Sequence, residues 1–74
     1  MKKNYLLINV AGKKHGYSFC VYTEYTESDN EEVIKKCIEN NLFQDNEDSE
    51  NADVVKADET DIRYFASSNC IYDI

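Results

Sequence analysis

The stretch that most constrains the fold runs from Ser28 to Leu42 and reads S-D-N-E-E-V-I-K-K-C-I-E-N-N-L. Ser28 and Glu31 have the spacing of a capping box, and Asn40 and Asn41 are typical of a helix end because asparagine tolerates the left-handed conformation. Its apolar residues recur at helical spacing and form one stripe: Val33, Ile34, Cys37, Ile38 and Leu42. An isolated helix of this length is not stable in water, so we expect it to pack on a sheet.

Two extended segments precede this helix. Residues 5–10 are nearly all apolar, which is typical of a central strand with both faces buried. Residues 17–26 alternate between two faces, and the predicted core face carries Tyr17, Phe19, Val21, Thr23 and Tyr25. The turn 11–16 between them holds both glycines, to which we assign the positive-φ positions of the chain. The two strands are therefore predicted to pair as a β-hairpin.

The segment after the helix divides into a loop, a strand and a tail. Residues 44–53 contain five acids and no base, which predicts a solvated acidic loop. Val54 to Ala57 is a short third strand, joined to strand 2 through the helix by a right-handed crossover. Residues 58–66 fit either a short helix capped by Asp58 or an alternating strand, and we expect the helix. Cys70 to Ile74 is then a final strand, at the sheet edge or beside strand 1.

These elements predict a single small α+β domain over residues 1–74. The expected architecture is a two-layer β-β-α-β-(short α)-β, with one main helix packed on a small mixed or antiparallel sheet. If the tail is extended, the order is β-β-α-β-β-β. The odd number of cysteines (Cys20, Cys37 and Cys70) argues against a secreted disulfide framework, and no apolar run is long enough to cross a membrane. We therefore expect a cytoplasmic protein.

Charge is distributed unevenly along the chain, whose net charge is −7. The first 23 residues hold four lysines and no acid, whereas all 15 acids follow, together with three lysines and one arginine. An acidic protein of this kind is not expected to bind nucleic acid directly or to dock on an anionic membrane.

Residues with catalytic or ligand chemistry do not form a recognisable pattern. His15 and Cys20 form the one evident acid–base and nucleophile pair, but no third orienting group accompanies them. The acidic loop lacks the central glycine and the final glutamate of a calcium-binding loop, and the cysteines lack zinc-site spacing. The basic turn matches no phosphate-binding motif. We therefore predict no catalytic residues, no metal and no cofactor.

The sequence predicts a small acidic protein-binding or assembly module that is not an enzyme and whose partner is another protein or a second copy of itself. One alternative is an acidic inhibitor or nucleic-acid mimic, of the kind that phages and mobile elements encode, which binds a basic protein groove. A less favoured alternative is a small enzyme that depends on Cys and His. The predicted partner-binding residues lie in the basic turn, on strand 2 and in the acidic loop: Lys13, Lys14, His15, Tyr22, Asp45, Glu47, Asp48 and Glu50.

Overall fold

Residues 2–12 and 14–74, which the computed structural model describes, form a four-stranded sheet and two α-helices. The strands are β1 (Asn4–Val10), β2 (Tyr17–Thr23), β3 (Ala52–Lys56) and β4 (Ile71–Asp73). The helices are α1 (Asn30–Glu39) and α2 (Glu59–Ser67), and 3-10 helices span Glu27–Asp29 and Asn46–Asn51. In the sheet order β3-β1-β2-β4, β1 is antiparallel to both neighbours and β4 is parallel to β2. The predicted α+β class and element order are confirmed.

The main core lies between α1 and one face of the sheet. Leu6 and Ile8 of β1 pair with Val21 and Phe19 of β2, and all four side chains are buried there. Val33 and Cys37 of α1 are fully buried against them. The predicted central position of β1 and the predicted core face of β2 are confirmed. Ile38, which the helical stripe places in the core, is 39% exposed.

The start of α1 differs from the predicted capping box at Ser28 and Glu31. The backbone N–H of Thr26 donates to the carboxylate of Asp29 at 3.1 Å, and this pair begins a 3-10 turn that leads into α1 at Asn30. Because Thr26 takes this capping position, β2 ends at Thr23 rather than at residue 26. Local spacing alone fits both pairs, so it does not distinguish them.

The left-handed residue that follows the C-cap of each helix is an asparagine rather than a glycine. Asn41 and Asn69 have φ angles of 56° and 57°, the positive values found among the described non-glycine residues, while no described glycine has one. After α1, the N–H of Asn41 bonds to the carbonyl of Ile38, and that of Leu42 bonds to the carbonyl of Cys37. This is the Schellman arrangement, and the same pattern follows α2. The predicted stop at Asn40 and Asn41 is confirmed, whereas the prediction that the glycines supply positive φ is wrong.

The second helix confirms the helical interpretation of the tail and covers the sheet face opposite α1. Asp58 caps it by accepting a hydrogen bond from the N–H of Asp61 at 2.8 Å. Phe65 of α2 is buried against Cys20, whereas the neighbouring Val21 belongs to the α1 side. The main contacts of α2 are with β2 and β4, so it adds a partial layer to the predicted two-layer arrangement.

The described residues include no helix that is both long and apolar enough to cross a membrane. All three cysteines are free; Cys20 and Cys37 are buried and Cys70 is partly exposed.

Candidate functional site

The basic turn and the acidic loop meet in a cleft of about 230 Å³ at one end of the sheet. The turn reaches the cleft because the pairing of β1 with β2 extends as far as Val10 and Tyr17, the residues on either side of the turn. The loop reaches it because the 3-10 helix 46–51 leads directly into β3, and Ala11 bonds to Asn51. Four predicted partner-binding residues line the cleft: Lys14, His15, Asp45 and the buried Asp48. The structure therefore brings together residues that are far apart in sequence.

Tyr17 holds the two walls of the cleft together. Its hydroxyl donates to Oδ2 of Asp48 at 2.6 Å and accepts from the backbone N–H of Gln44 at 3.0 Å. Desolvation raises the pKa of Tyr17, and the hydrogen bond to Asp48 raises it further. The phenol is therefore protonated at neutral pH and acts as a donor to a carboxylate.

Asp48 is the predicted partner-binding residue whose surroundings differ most from expectation. It is 3% exposed, so its carboxylate faces Tyr17 rather than an approaching protein. Within the loop predicted for residues 44–53, Asn46–Asn51 form a 3-10 helix whose Asp48 side chain is buried. Ala52 and Asp53 already belong to β3, which the sequence predicts only from Val54 to Ala57. The cleft is smaller than the roughly 300 Å³ at the low end of small-molecule sites, and its central polar groups bond to each other. This geometry favours a structural role for the cleft.

The remaining predicted site residues do not share one location. Lys13 lies outside the described residues. Glu47 and Glu50 are exposed on the 3-10 helix near the cleft, whereas Tyr22 lies on the α2 side of the sheet. The mimic hypothesis joins the acids of the loop 44–53 with a second acidic group, formed by Glu24, Glu27, Asp29, Glu31 and Glu32. The two groups lie at opposite ends of the sheet. Glu24 follows the end of β2 at Thr23, where β1 begins, and the acidic loop precedes β3 where β1 ends. The length of β1 separates them by roughly 20 Å.

The structure does not bring His15 and Cys20 together. His15 is exposed on the turn and lines the cleft, while Cys20 is fully buried between β2 and α2. Burial raises the pKa of Cys20 to about 11 and that of Cys37 to about 12, so both are thiols rather than nucleophilic thiolates at neutral pH. No group of three or more His, Cys, Asp or Glu residues in the described ranges is arranged to hold a metal ion.

A second candidate site lies on the α2 side of the sheet, where side chains align in rows across the strands. One apolar row consists of Val55, Leu7, Cys20 and Ile71, taken from β3 across to β4. Helix α2 covers Cys20 within this row, whose exposure is 0%, whereas Val55 at the β3 end is 41% exposed. The row therefore changes from buried to exposed towards β3.

The adjacent row extends this exposed region with aromatic groups. Tyr5 and Tyr22 pair across β1 and β2, with ring centroids 4.5 Å apart, and both are partly exposed. With Leu7 and Val55 they form what we call the apolar strip. Partly exposed tyrosines beside apolar groups are enriched in protein–protein interfaces.

Carboxylates border the apolar strip. Asp53 is exposed on the same face, two residues before Val55, and Asp61 of α2 lies close enough to Cys20 to raise its pKa. Asp73 is paired with Lys3, whose Nζ lies 5.4 Å from the ring centroid of Tyr22. An apolar centre with an acidic border suits a partner with apolar side chains surrounded by basic ones.

Sequence reasoning identified Tyr22 on this face but missed Leu7 and Val55. The sequence predicts that residues 5–10 are buried on both faces and places Val55 in a short strand without assigning it to a face. Alternation identifies which residues share a face within one strand. It does not show where a helix from elsewhere in the chain ends its coverage.

Comparison of the chain with protein-family models, with curated proteins and with solved structures finds no match.

Proposed function

We propose that this protein is a non-enzymatic protein-binding module whose apolar strip receives a basic protein partner. The observation that carries this proposal is the gap in the cover of the sheet: α2 packs mainly on β2 and β4, and Val55 is left 41% exposed. An exposed aliphatic side chain beside two partly exposed tyrosines gives a partner apolar area to bury.

Charge supports a different protein as the partner rather than a second copy. Two copies of a chain with net charge −7 repel each other, and Asp53 and Asp61 near the strip add local repulsion. A basic partner gains from the same charges. A standard interface covers about 800 Å² on each side, roughly a sixth of the 5078 Å² surface of this protein, so the partner also contacts the acidic border.

The matched pair Val55→Lys and Ile38→Lys tests this proposal. Both positions carry aliphatic side chains of similar exposure, 41% and 39%, but Ile38 is on α1, on the other side of the sheet. Proteins from the source cell that bind the immobilised wild-type chain are identified and purified, and their affinities for each variant are measured at low and high salt.

The proposal predicts a basic partner whose binding weakens with salt, is lost in Val55→Lys and is kept in Ile38→Lys. Equal binding by both variants contradicts it. Light scattering at micromolar concentration separately tests the self-assembly version, for which a dimer lost only in Val55→Lys is the expected result.

The nucleic-acid mimic stays a prediction from composition. Mimicry needs carboxylates in a continuous array, and the groups around Glu24 and in the loop 44–53 lie at opposite ends of the sheet. No contact among the described residues favours this function over binding at the apolar strip.

A further inference from the structure

The outer edge of β3 lies directly beside the apolar strip. β3 is an edge strand of the sheet, with β1 as its one neighbour in the described residues. Edge strands carry backbone N–H and C=O groups with no strand to pair with, and some proteins use them to bind extended segments.

The register fixes which backbone groups of β3 are open. Ala57 donates to the carbonyl of Tyr5, and Ala11 donates to the carbonyl of Asn51. Antiparallel pairs alternate between hydrogen-bonded and non-hydrogen-bonded types, so Asp53 and Val55 also bond to β1. Val54 and Lys56 alternate with these bonded residues, so their N–H and C=O groups point away from β1 to the open edge.

The side chains that flank this edge indicate the chemistry of its occupant. On the α2 side, a strand added at the edge places its side chains beside Asp53 and Val55, both exposed. A basic residue fits beside Asp53, and an apolar residue two positions away fits beside Val55. On the other side it passes Val54, which is half-buried, and Lys56, so an uncharged residue suits that face.

We infer that the edge of β3 binds an extended segment of its partner by strand addition, with an apolar residue beside Val55, an uncharged residue on each side of it and a basic residue beside Asp53. This inference rests on the proposed function and specifies how the partner is held. Backbone hydrogen bonds to Val54 and Lys56 position the segment, and its apolar side chain continues the row formed by Val55 and Leu7.

The probe is the capped peptide Lys-Thr-Val-Thr-Lys, which has this pattern. Pairing its central valine with Val55 places the two threonine amide groups opposite Val54 and Lys56. Amide hydrogen exchange of the protein is followed by NMR with the peptide at about ten times its dissociation constant. We expect exchange at Val54 and Lys56 to slow about tenfold, with little change at Asp53 and Val55, which already bond to β1.

Two matched controls separate strand addition from general attraction. A peptide methylated on both threonine nitrogens loses the two N–H groups that donate to the edge, whereas one methylated on the valine nitrogen keeps both. In the protein, Lys56→Pro removes an outward N–H, and Lys56→Ala removes the same charge while keeping that N–H. We expect the threonine-methylated peptide and Lys56→Pro each to weaken binding at least about tenfold, and the controls to change it less than about twofold.

Two outcomes overturn the inference. One is equal binding by Lys56→Pro and Lys56→Ala, and the other is peptide binding without protection at Val54 and Lys56. If the basic partner still distinguishes Val55→Lys from Ile38→Lys in either case, the proposed function stands and strand addition alone is rejected.

Discussion

Replacing Tyr17 with phenylalanine tests the contact that joins the basic turn to the acidic loop. The ring stays and the hydroxyl is lost, together with its bonds to Asp48 at 2.6 Å and to the N–H of Gln44 at 3.0 Å. Asp48 is 3% exposed, so its buried carboxylate is left without this hydrogen-bond donor. A hydrogen bond to a charged group contributes about 1.5–3 kcal/mol, and an unsatisfied buried acceptor adds a further cost.

We therefore expect Tyr17→Phe to lower the free energy of unfolding by about 2–3 kcal/mol. A chain of 74 residues has a stability of roughly 4–11 kcal/mol, so this loss is a large fraction of the total. The melting temperature falls by roughly 10–20 °C for a domain of this size. Urea unfolding followed by circular dichroism measures the difference.

The matched control is Tyr64→Phe, because Tyr64 is 64% exposed and its hydroxyl has no hydrogen bond to the described residues. Its unfolding free energy should change by less than about 0.5 kcal/mol. A double-mutant cycle with Asp48→Ala adds a second check, and we expect a coupling of about 1 kcal/mol or more. A small effect of Tyr17→Phe, or additivity with Asp48→Ala, refutes the structural role of this contact.

The same contact gives a pH dependence with a definite sign. The pKa of Tyr17 is raised in the folded state, mainly by desolvation, above its ordinary value of 10.0. The stability that Tyr17 contributes to the fold is therefore fully present below pH 10. It is lost as pH rises through the pKa of the folded state, because the unfolded chain releases the tyrosine proton first. Tyr17→Phe should show a weaker loss of stability over this range than the wild type.

Three further predictions concern the thiols and the second helix. Burial raises the pKa of Cys37 from 9.0 to about 12, so the stability that the buried thiol contributes below pH 9 should fall as pH rises towards 12. Over this range the urea midpoint of Cys37→Ala should fall less steeply than that of the wild type. A thiol reagent should label the partly exposed Cys70 first and reach the buried Cys20 only when the fold opens, as timed mass spectrometry would show. Asp58→Ala should cost about 1 kcal/mol by removing the cap of α2, while the exposed Thr60→Ala should cost less by urea unfolding.

Local sequence signals predicted most of the elements for reasons that the structure confirms. The side chain of Asp58, the residue before helix α2, caps the first turn of that helix, and β1 is apolar because it is central. Asn41 ends α1 because its left-handed conformation lets the following N–H groups reach the last carbonyls. Such features depend on residues within a few positions of each other, so the sequence alone is sufficient to predict them.

The buried position of Asp48 depends on a distant residue and was not predictable in the same way. Composition indicates a solvated loop because acids outnumber every other type there. The carboxylate is buried because Tyr17, 31 positions earlier, supplies a hydroxyl at hydrogen-bond distance. That contact requires the hairpin and the 3-10 helix to meet at one end of the sheet, which follows from the strand order and not from any local pattern.

The position of Val55 in the apolar strip follows from the alternation of side chains along β3. Val54 and Val55 are adjacent, so their side chains point to opposite faces, and one of them can pack on the α1 side. Shifting the register by one residue turns Val55 inward, but it also turns Asp53 towards the core beneath α1. The observed register keeps Asp53 in water and leaves Val55 where α2 gives little cover. A polar residue at that position also satisfies folding, as Asp53 does, so the exposed Val55 is the feature of β3 that supports the proposed partner.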